Sequence, residues 1–263
     1  MKPMIKLLSW NTHLILKPLC ALLALLAAGQ TAATLFYAAK PSLCLVSYLQ
    51  IYHSSFSPLL FALGYLAALV VGLMPVCMAQ GKARGAYTVL TFKLPRWQIY
   101  LAYLLTAALA LLAVVAVHVG MYILLYQPTC MLQNHQAAAH GFAELAAQSR
   151  SFWWSFAGNA NMRMLLPTSG WELLCWLMML FAPPTVCLSV LLHRGWRRAA
   201  AVVLAGVTSV CGLLVLMFWL DSLNYHMWRP DAGWWTCLWV LLGMVFLSGL
   251  WSVRALHRAE YAV

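Results

Sequence analysis

Acidic residues are nearly missing from this chain: five Asp and Glu stand against sixteen Lys and Arg in 263 residues. The five carboxylates, Glu144, Glu172, Asp221, Asp231 and Glu260, fall outside the long apolar runs or near their ends. Neither a buried acid pair nor a carboxylate proton relay can be assembled from them. Other chemistry is missing too. There is no Gly-x-x-x-x-Gly-Lys-Ser/Thr phosphate loop, which excludes ATP hydrolysis by that route within this chain, and no His-Glu-x-x-His zinc pair. Serines inside apolar runs, such as Ser189, Ser209 and Ser248, lack the Gly-x-Ser-x-Gly setting of a hydrolase nucleophile. Eight cysteines contain no Cys-x-x-Cys pair, so neither a redox motif nor a zinc ribbon is supported. An enzyme is therefore not expected, and no cofactor is expected on this chain.

What is present is apolar. With 64% hydrophobic and 8% charged residues, the chain cannot hide its apolar surface in one soluble core, and lipid must be its solvent. Six runs approach the ~20 residues needed to cross ~30 Å of hydrocarbon: residues 19–39, 58–79, 99–126, 171–192, 199–220 and 234–253. All should be helices, since backbone polar groups in lipid must pair internally and these runs lack the alternation of barrel strands. The expected fold is an all-α integral membrane protein of six spans, one membrane domain over residues 1–263, without internal repeats.

The net charge of +11 acquires meaning from its distribution. Lys2, Lys6, Lys17, Lys82, Arg84, Lys93, Arg96, Arg194, Arg197, Arg198, Arg254 and Arg258 lie in or beside the odd-numbered connections, counting the N-terminal segment first. Only Lys40, Arg150, Arg163 and Arg229 lie in the other set, beside four of the five acids. The positive-inside rule then predicts both termini and the 81–97 connection in the cytoplasm. Such an inner face suits anionic headgroups or an acidic protein. Nucleic acid is not an expected partner, because no basic and aromatic surface stands clear of the bilayer.

At the N-terminus a cleaved signal peptide is the rival reading, but the apolar run continues through Leu35, Phe36 and Tyr37, too far for such a segment. Lys2, Lys6, Ser9, His13 and Lys17 make a polar stripe at helical spacing, with Met4, Ile5, Leu8 and Ile15 largely opposite. Residues 1–17 thus read as an interfacial helix that turns sharply into the first span at Pro18. The long outer connection is 127–170, with helical composition at 136–148 and an aromatic group, Phe152, Trp153, Trp154 and Phe156, suited to the membrane interface.

His118 is the one ionisable side chain well inside a span. Intramembrane ionisable groups are functional candidates, yet no second histidine or carboxylate at that depth completes a proton path, so a neutral, hydrogen-bonded histidine is the favoured reading. His53, His135, His140 and His226 are external and scattered, and read as solvated loop histidines before metal ligands. Cys44 and Cys130 both fall in outer loops, where a disulfide between them is an open alternative. Pro75, Pro183 and Pro184 are expected to interrupt the second and fourth spans, and the glycines spread along the spans to permit close packing.

Between the second and third spans lies Gly81-Lys-Ala-Arg-Gly-Ala-Tyr-Thr-Val-Leu-Thr-Phe-Lys-Leu-Pro-Arg-Trp97. Ala83, Tyr87, Leu90 and Leu94 share one helical face, while Lys82, Arg84, Thr88 and Thr91 fall elsewhere, and Pro95 is a stop. With the amphipathic N-terminal helix, six spans, and the Ile99-Tyr-Leu start of span three, this arrangement resembles the membrane subunits of ABC-2-type ATP-binding cassette transporters, particularly short bacterial permeases of peptide or antibiotic export. Departures exist: Ala83-Arg84 and Ala102-Tyr103 stand where family members often carry an acidic residue and a lysine.

The resemblance implies that segment 81–97 is a coupling helix docking in a groove of a separate ATPase subunit, which would hold the ATP and magnesium. Tyr87, Leu90, Phe92 and Leu94 would be contact or packing residues before the Pro95 stop, with Arg84, Lys93 and Arg96 at the rim. It further implies a second permease as homo- or heterodimer partner, a bacterial cell membrane location, and export of an amphipathic peptide, antibiotic or lipid-like molecule. A non-transporting immunity or sensor-associated scaffold is the alternative class.

Overall fold

A computed structural model describes residues 2–43, 45–81, 94–141, 152–159, 162, 165–167, 170–193, 196–225 and 232–259. The regular elements among them are helical: α1 (Lys2–Ala38), a 3-10 turn (Pro41–Leu43), α2 (Tyr48–Ser54), α3 (Ser57–Gly81), α4 (Arg96–Ala139), α5 (Phe152–Ala157), α6 (Gly170–Leu192), α7 (Trp196–Tyr225) and α8 (Ala232–Ala259). Six stretches are long and apolar enough to cross a membrane: Pro3–Ala38, Ser57–Ala79, Arg96–Ala139, Glu172–Leu192, Trp196–Val215 and Trp235–Leu256. These coincide with the six apolar runs. The regular structure of the described residues is all-helical, with six helices compatible with a multi-pass membrane protein.

Helices outrun the expectations at two places. α1 is unbroken through Pro18, so the sharp turn expected there is not found; its 37 residues are about 55 Å long at 1.5 Å per residue. Proline withholds a single backbone donor, whereas a break inside an apolar environment would strand several, and the continuous helix costs less. Lys6, Ser9, His13 and Lys17 of this segment are exposed, and so is Ile5 of the side expected to be apolar. α4 likewise passes through Pro128 and ends only at Ala139, so the first part of the expected outer connection is helix. Gly141 (φ +79°) supplies the left-handed residue just past that end. α3 and α6 also run through Pro75 and through Pro183 and Pro184 without interruption.

Two compact units divide the chain. Unit one holds Met1–Leu19, Ala68–Leu111 and Gly170–Val263. In it α6, α7 and α8 pack on one another, and α1 buries Leu7, Asn11, Ile15 and Leu19, a stripe at steps of four. Unit two holds Cys20–Ala67 and Leu112–Ser169. Here α1 buries Leu26, Gln30, Thr34 and Ala38, and α4 buries Val114, His118, Tyr122, Leu125, Thr129, Gln133 and Ala137 at steps of three or four. Hydroxyls inside the helices bond back one turn: Thr12 to the Leu8 carbonyl, Thr31 to Ala27, Thr106 to Ala102 and Thr208 to Leu204. That local pairing removes the penalty of a polar side chain in an apolar helix.

Candidate functional site

In unit two, buried polar side chains from four elements close into one circuit. His118 on α4 is 1% exposed. Its Nδ1 lies 2.6 Å from Gln30 Nε2 on α1 and its Nε2 lies 2.8 Å from the Tyr52 hydroxyl on α2. With the Gln30 amide donating to Nδ1, the imidazole carries its proton on Nε2 and donates it to the Tyr52 oxygen. Both ring nitrogens are satisfied in the neutral form. Phe61 stacks on the imidazole, ring centroids 4.3 Å apart and planes inclined at 22°.

From Tyr52 the chain of bonds returns to α1. The Tyr52 carbonyl accepts from Ser55 Oγ at 2.9 Å, Ser55 Oγ meets Ser57 Oγ at 2.8 Å, and Ser57 Oγ lies 3.3 Å from Thr34 Oγ1, one turn beyond Gln30. Each link is neutral. These two buried, uncharged hydrogen-bond chains, joined through Tyr52 itself and through the turn of α1 between Gln30 and Thr34, fix which helices meet and in what register, because a broken link leaves a buried polar atom without its partner. They offer no nucleophile–base pair and no carboxylate.

An aromatic layer lies against this circuit. Tyr48 donates to the Tyr122 carbonyl at 2.6 Å, and Tyr122 donates to the Ser155 carbonyl at 3.0 Å, which ties α2, α4 and α5 together. Tyr48, Tyr52, Tyr122 and Met162 form the buried cluster, with Val119, Tyr126 and Phe156 packed on it. Burial raises the proton affinity of the Tyr48 and Tyr52 phenols and keeps both neutral, Tyr48 as a donor and Tyr52 as the acceptor of the His118 proton. Phe152 and Phe156 of the expected aromatic segment belong to this layer, while Trp153 is 75% exposed.

Of the residues expected to receive force from an ATPase, Arg84, Tyr87, Leu90 and Phe92 lie outside the described residues, as does Lys93. Leu94 and Arg96 are each 8% exposed. Leu94 is therefore covered by its own chain. Pro95 directly precedes α4, and its carbonyl accepts from the Gln98 amide at 2.9 Å. Proline suits that position, where a helix start needs no donor. On either side of segment 82–93, Gly72 of α3 meets α4: a Cβ built at Gly72 would stand 2.7 Å from the Ala107 Cα and 3.3 Å from the Ala110 Cβ. The two helices thus touch backbone to backbone.

Cys44 lies outside the described residues, so the Cys44–Cys130 pairing has no described geometry. His226 lies outside them too, and His53, His135 and His140 are exposed. Among the described residues no three of His, Cys, Asp and Glu come together.

Sequence reasoning reached His118 but missed its partners. Gln30 and Thr34, two polar residues one turn apart in an otherwise apolar run, were the available signal. Missed as well were Gln133, and His193, whose Nδ1–H donates to the Ser189 carbonyl at 2.6 Å beside the Trp251 ring.

Compared with protein families, curated proteins and solved structures, the chain matches none of them. The fold therefore defines the class by itself: a six-span, all-helical membrane protein with a neutral polar circuit in one of its two units.

Proposed function

We propose that this chain is the membrane-spanning subunit of an ABC-2-type transporter, driven by a separate ATP-binding cassette subunit that holds ATP and magnesium. The observation that carries the reading is the contact of Gly72 with Ala107. α3 and α4, the two helices that segment 82–93 connects, are joined so closely at Gly72 and Ala107 that they respond as a pair, so a displacement of that segment by a partner is delivered to both together. Six candidate spans and the surplus of Lys and Arg in the odd-numbered connections support a reading in which both termini and segment 82–93 lie in the cytoplasm of a bacterial cell. A second permease, identical or related, completes the pathway. Exported cargo of amphipathic peptide, antibiotic or lipid-like type fits a protein with so few buried charges. The chain itself performs no catalysis and binds no cofactor.

The deciding experiment is purification of the tagged chain from its own host's membranes, with mass spectrometry of what accompanies it. An ATP-binding cassette subunit should co-purify and should be lost in Tyr87→Asp and Leu90→Asp while the amount of permease in the membrane is unchanged. Retention of the ATPase by both variants would remove segment 82–93 from the docking surface, and the absence of any such ATPase from the wild-type preparation would overturn the transporter reading.

A further inference from the structure

At the level where α1 ends and α3 begins, unit two presents an exposed patch that the polar circuit does not use. Phe36 is 66% exposed and Phe56 is 59% exposed. Tyr37 stands between them, edge-on to both, at 6.0 Å from Phe36 and 6.2 Å from Phe56. Lys40 Nζ sits 3.9 Å from the Tyr37 ring centroid and 5.2 Å from that of Phe36. Its backbone is pinned: the Lys40 amide donates to the Tyr37 carbonyl, and the Lys40 carbonyl accepts from Leu43.

The Phe56 ring is held outward against a conformational cost. Phe56 has φ 57°, a left-handed backbone that a bulky residue rarely adopts. Ser55 and Ser57 on either side are buried and hydrogen-bonded to each other, Ser55 also to the Tyr52 carbonyl and Ser57 to the Thr34 hydroxyl, so the circuit below fixes the turn that exposes the ring. Strain of this kind persists only when the surroundings over-determine it. Among the described residues of unit two there is no Asp or Glu that could pair with Lys40.

Two exposed phenyl rings lie at the end of one apolar span (Pro3–Ala38) and at the start of another (Ser57–Ala79), and a cation lies two residues beyond the first. An inorganic anion would use the cation and ignore the rings. A phospholipid uses both, its phosphate at the headgroup level and its acyl carbons one step deeper. We propose that Lys40, Tyr37, Phe36 and Phe56 seat one anionic phospholipid, with Lys40 Nζ on the phosphate and the two phenylalanine rings against the acyl chains.

Hydrogen exchange of the full chain in nanodiscs tests this seat locally. In phosphatidylglycerol, compared with phosphatidylcholine, the amides of residues 39–43 should exchange about fivefold more slowly, the scale of one basic side chain at an anionic surface. Lys40→Gln should abolish the difference, and Phe56→Gly, which suits the left-handed backbone but removes the ring, should reduce it. Lys17→Gln, an exposed cation of unit one, should leave it intact. Amides of residues 114–125 report that each variant remains folded. The seat is overturned if the wild type shows no lipid dependence, if Lys40→Gln retains it, if Lys17→Gln removes it equally, or if inorganic phosphate added to phosphatidylcholine nanodiscs reproduces the slowing.

Discussion

Gly72 on α3 faces the Ala107 backbone on α4 with no room for a methyl group: the Cβ of an alanine would stand 2.7 Å from the Ala107 Cα. Backbone cannot swing aside as a side chain can, so the helices must separate. Gly72→Ala is expected to destabilise the protein by about 1–3 kcal/mol, the usual cost of overpacking. Gly206, with nothing within 4 Å of its added Cβ, is the internal control. Thermal unfolding in detergent should show a lowered midpoint for Gly72→Ala and little change for Gly206→Ala. Equal midpoints would refute the tight contact.

A second expectation concerns the links of the polar circuit. His118→Leu removes one side chain but strands two, the Gln30 amide and the Tyr52 hydroxyl. Each buried group left without a partner has a cost, and the loss should be roughly 2 kcal/mol. Adding Gln30→Leu to His118→Leu removes one of the stranded groups. The double variant should therefore melt higher than the sum of the two single losses predicts, with a coupling of about 1 kcal/mol. Strict additivity would show that the two side chains do not share a hydrogen bond.

Left-handed backbone at Phe56 reverses a familiar order. In a helix or strand, alanine is more stable than glycine; at φ 57° the alanine Cβ costs roughly 1–2 kcal/mol and glycine escapes it. Phe56→Gly should thus unfold at a higher temperature than Phe56→Ala, both having lost the ring contact with Tyr37. If Ala is the more stable of the two, residue 56 does not hold this conformation in solution.

The spans were legible because lipid imposes a simple rule, apolar side chains and paired backbone over some twenty residues, which composition alone can satisfy or fail. Where helices stop is a different question. Pro18 reads as a turn and Pro75, Pro183 and Pro184 as interruptions, yet all four sit inside helices, since the local loss of one donor is outweighed by the turns kept on either side. The circuit was legible only in part. His118 announces itself as the one ionisable group deep in a span, but Gln30 and Tyr52, 88 and 66 residues away along the chain, become its partners only when α1, α2 and α4 are brought together. Phe56 carried no signal in the sequence, because its strain is imposed by its buried serine neighbours rather than by its own preference.

His53, one residue beyond Tyr52, makes stability depend on pH. Although the residue is exposed overall, partial desolvation of its ring lowers its proton affinity below the ordinary 6.5. As the pH falls through that value the unfolded chain takes up a proton at residue 53 before the folded chain does, so the folded state loses stability on the acid side of 6.5 and keeps it above. His53→Gln, which cannot titrate, should show a smaller drop in melting temperature over the same acid range. Parallel curves for the two proteins would mean that the imidazole is equally solvated in both states.

Gln133 explains how α4 can extend past Pro128 with a connection folded against it. Its Nε2 donates two hydrogen bonds, each 2.9 Å, to the Leu43 and Val46 carbonyls, and the residue is fully buried. These carbonyls belong to the turn between α1 and α2, where the Leu43 carbonyl also accepts from the Val46 amide. Gln133→Glu preserves shape while removing both donors and setting a carboxylate against two carbonyl oxygens, so a loss of roughly 2–3 kcal/mol is expected. The effect should be local before it is global: amides of residues 43–47 should exchange faster in Gln133→Glu, while those around His118 keep their protection. Uniformly faster exchange throughout α4 would instead make Gln133 a general determinant of the helix and not a clamp on this turn.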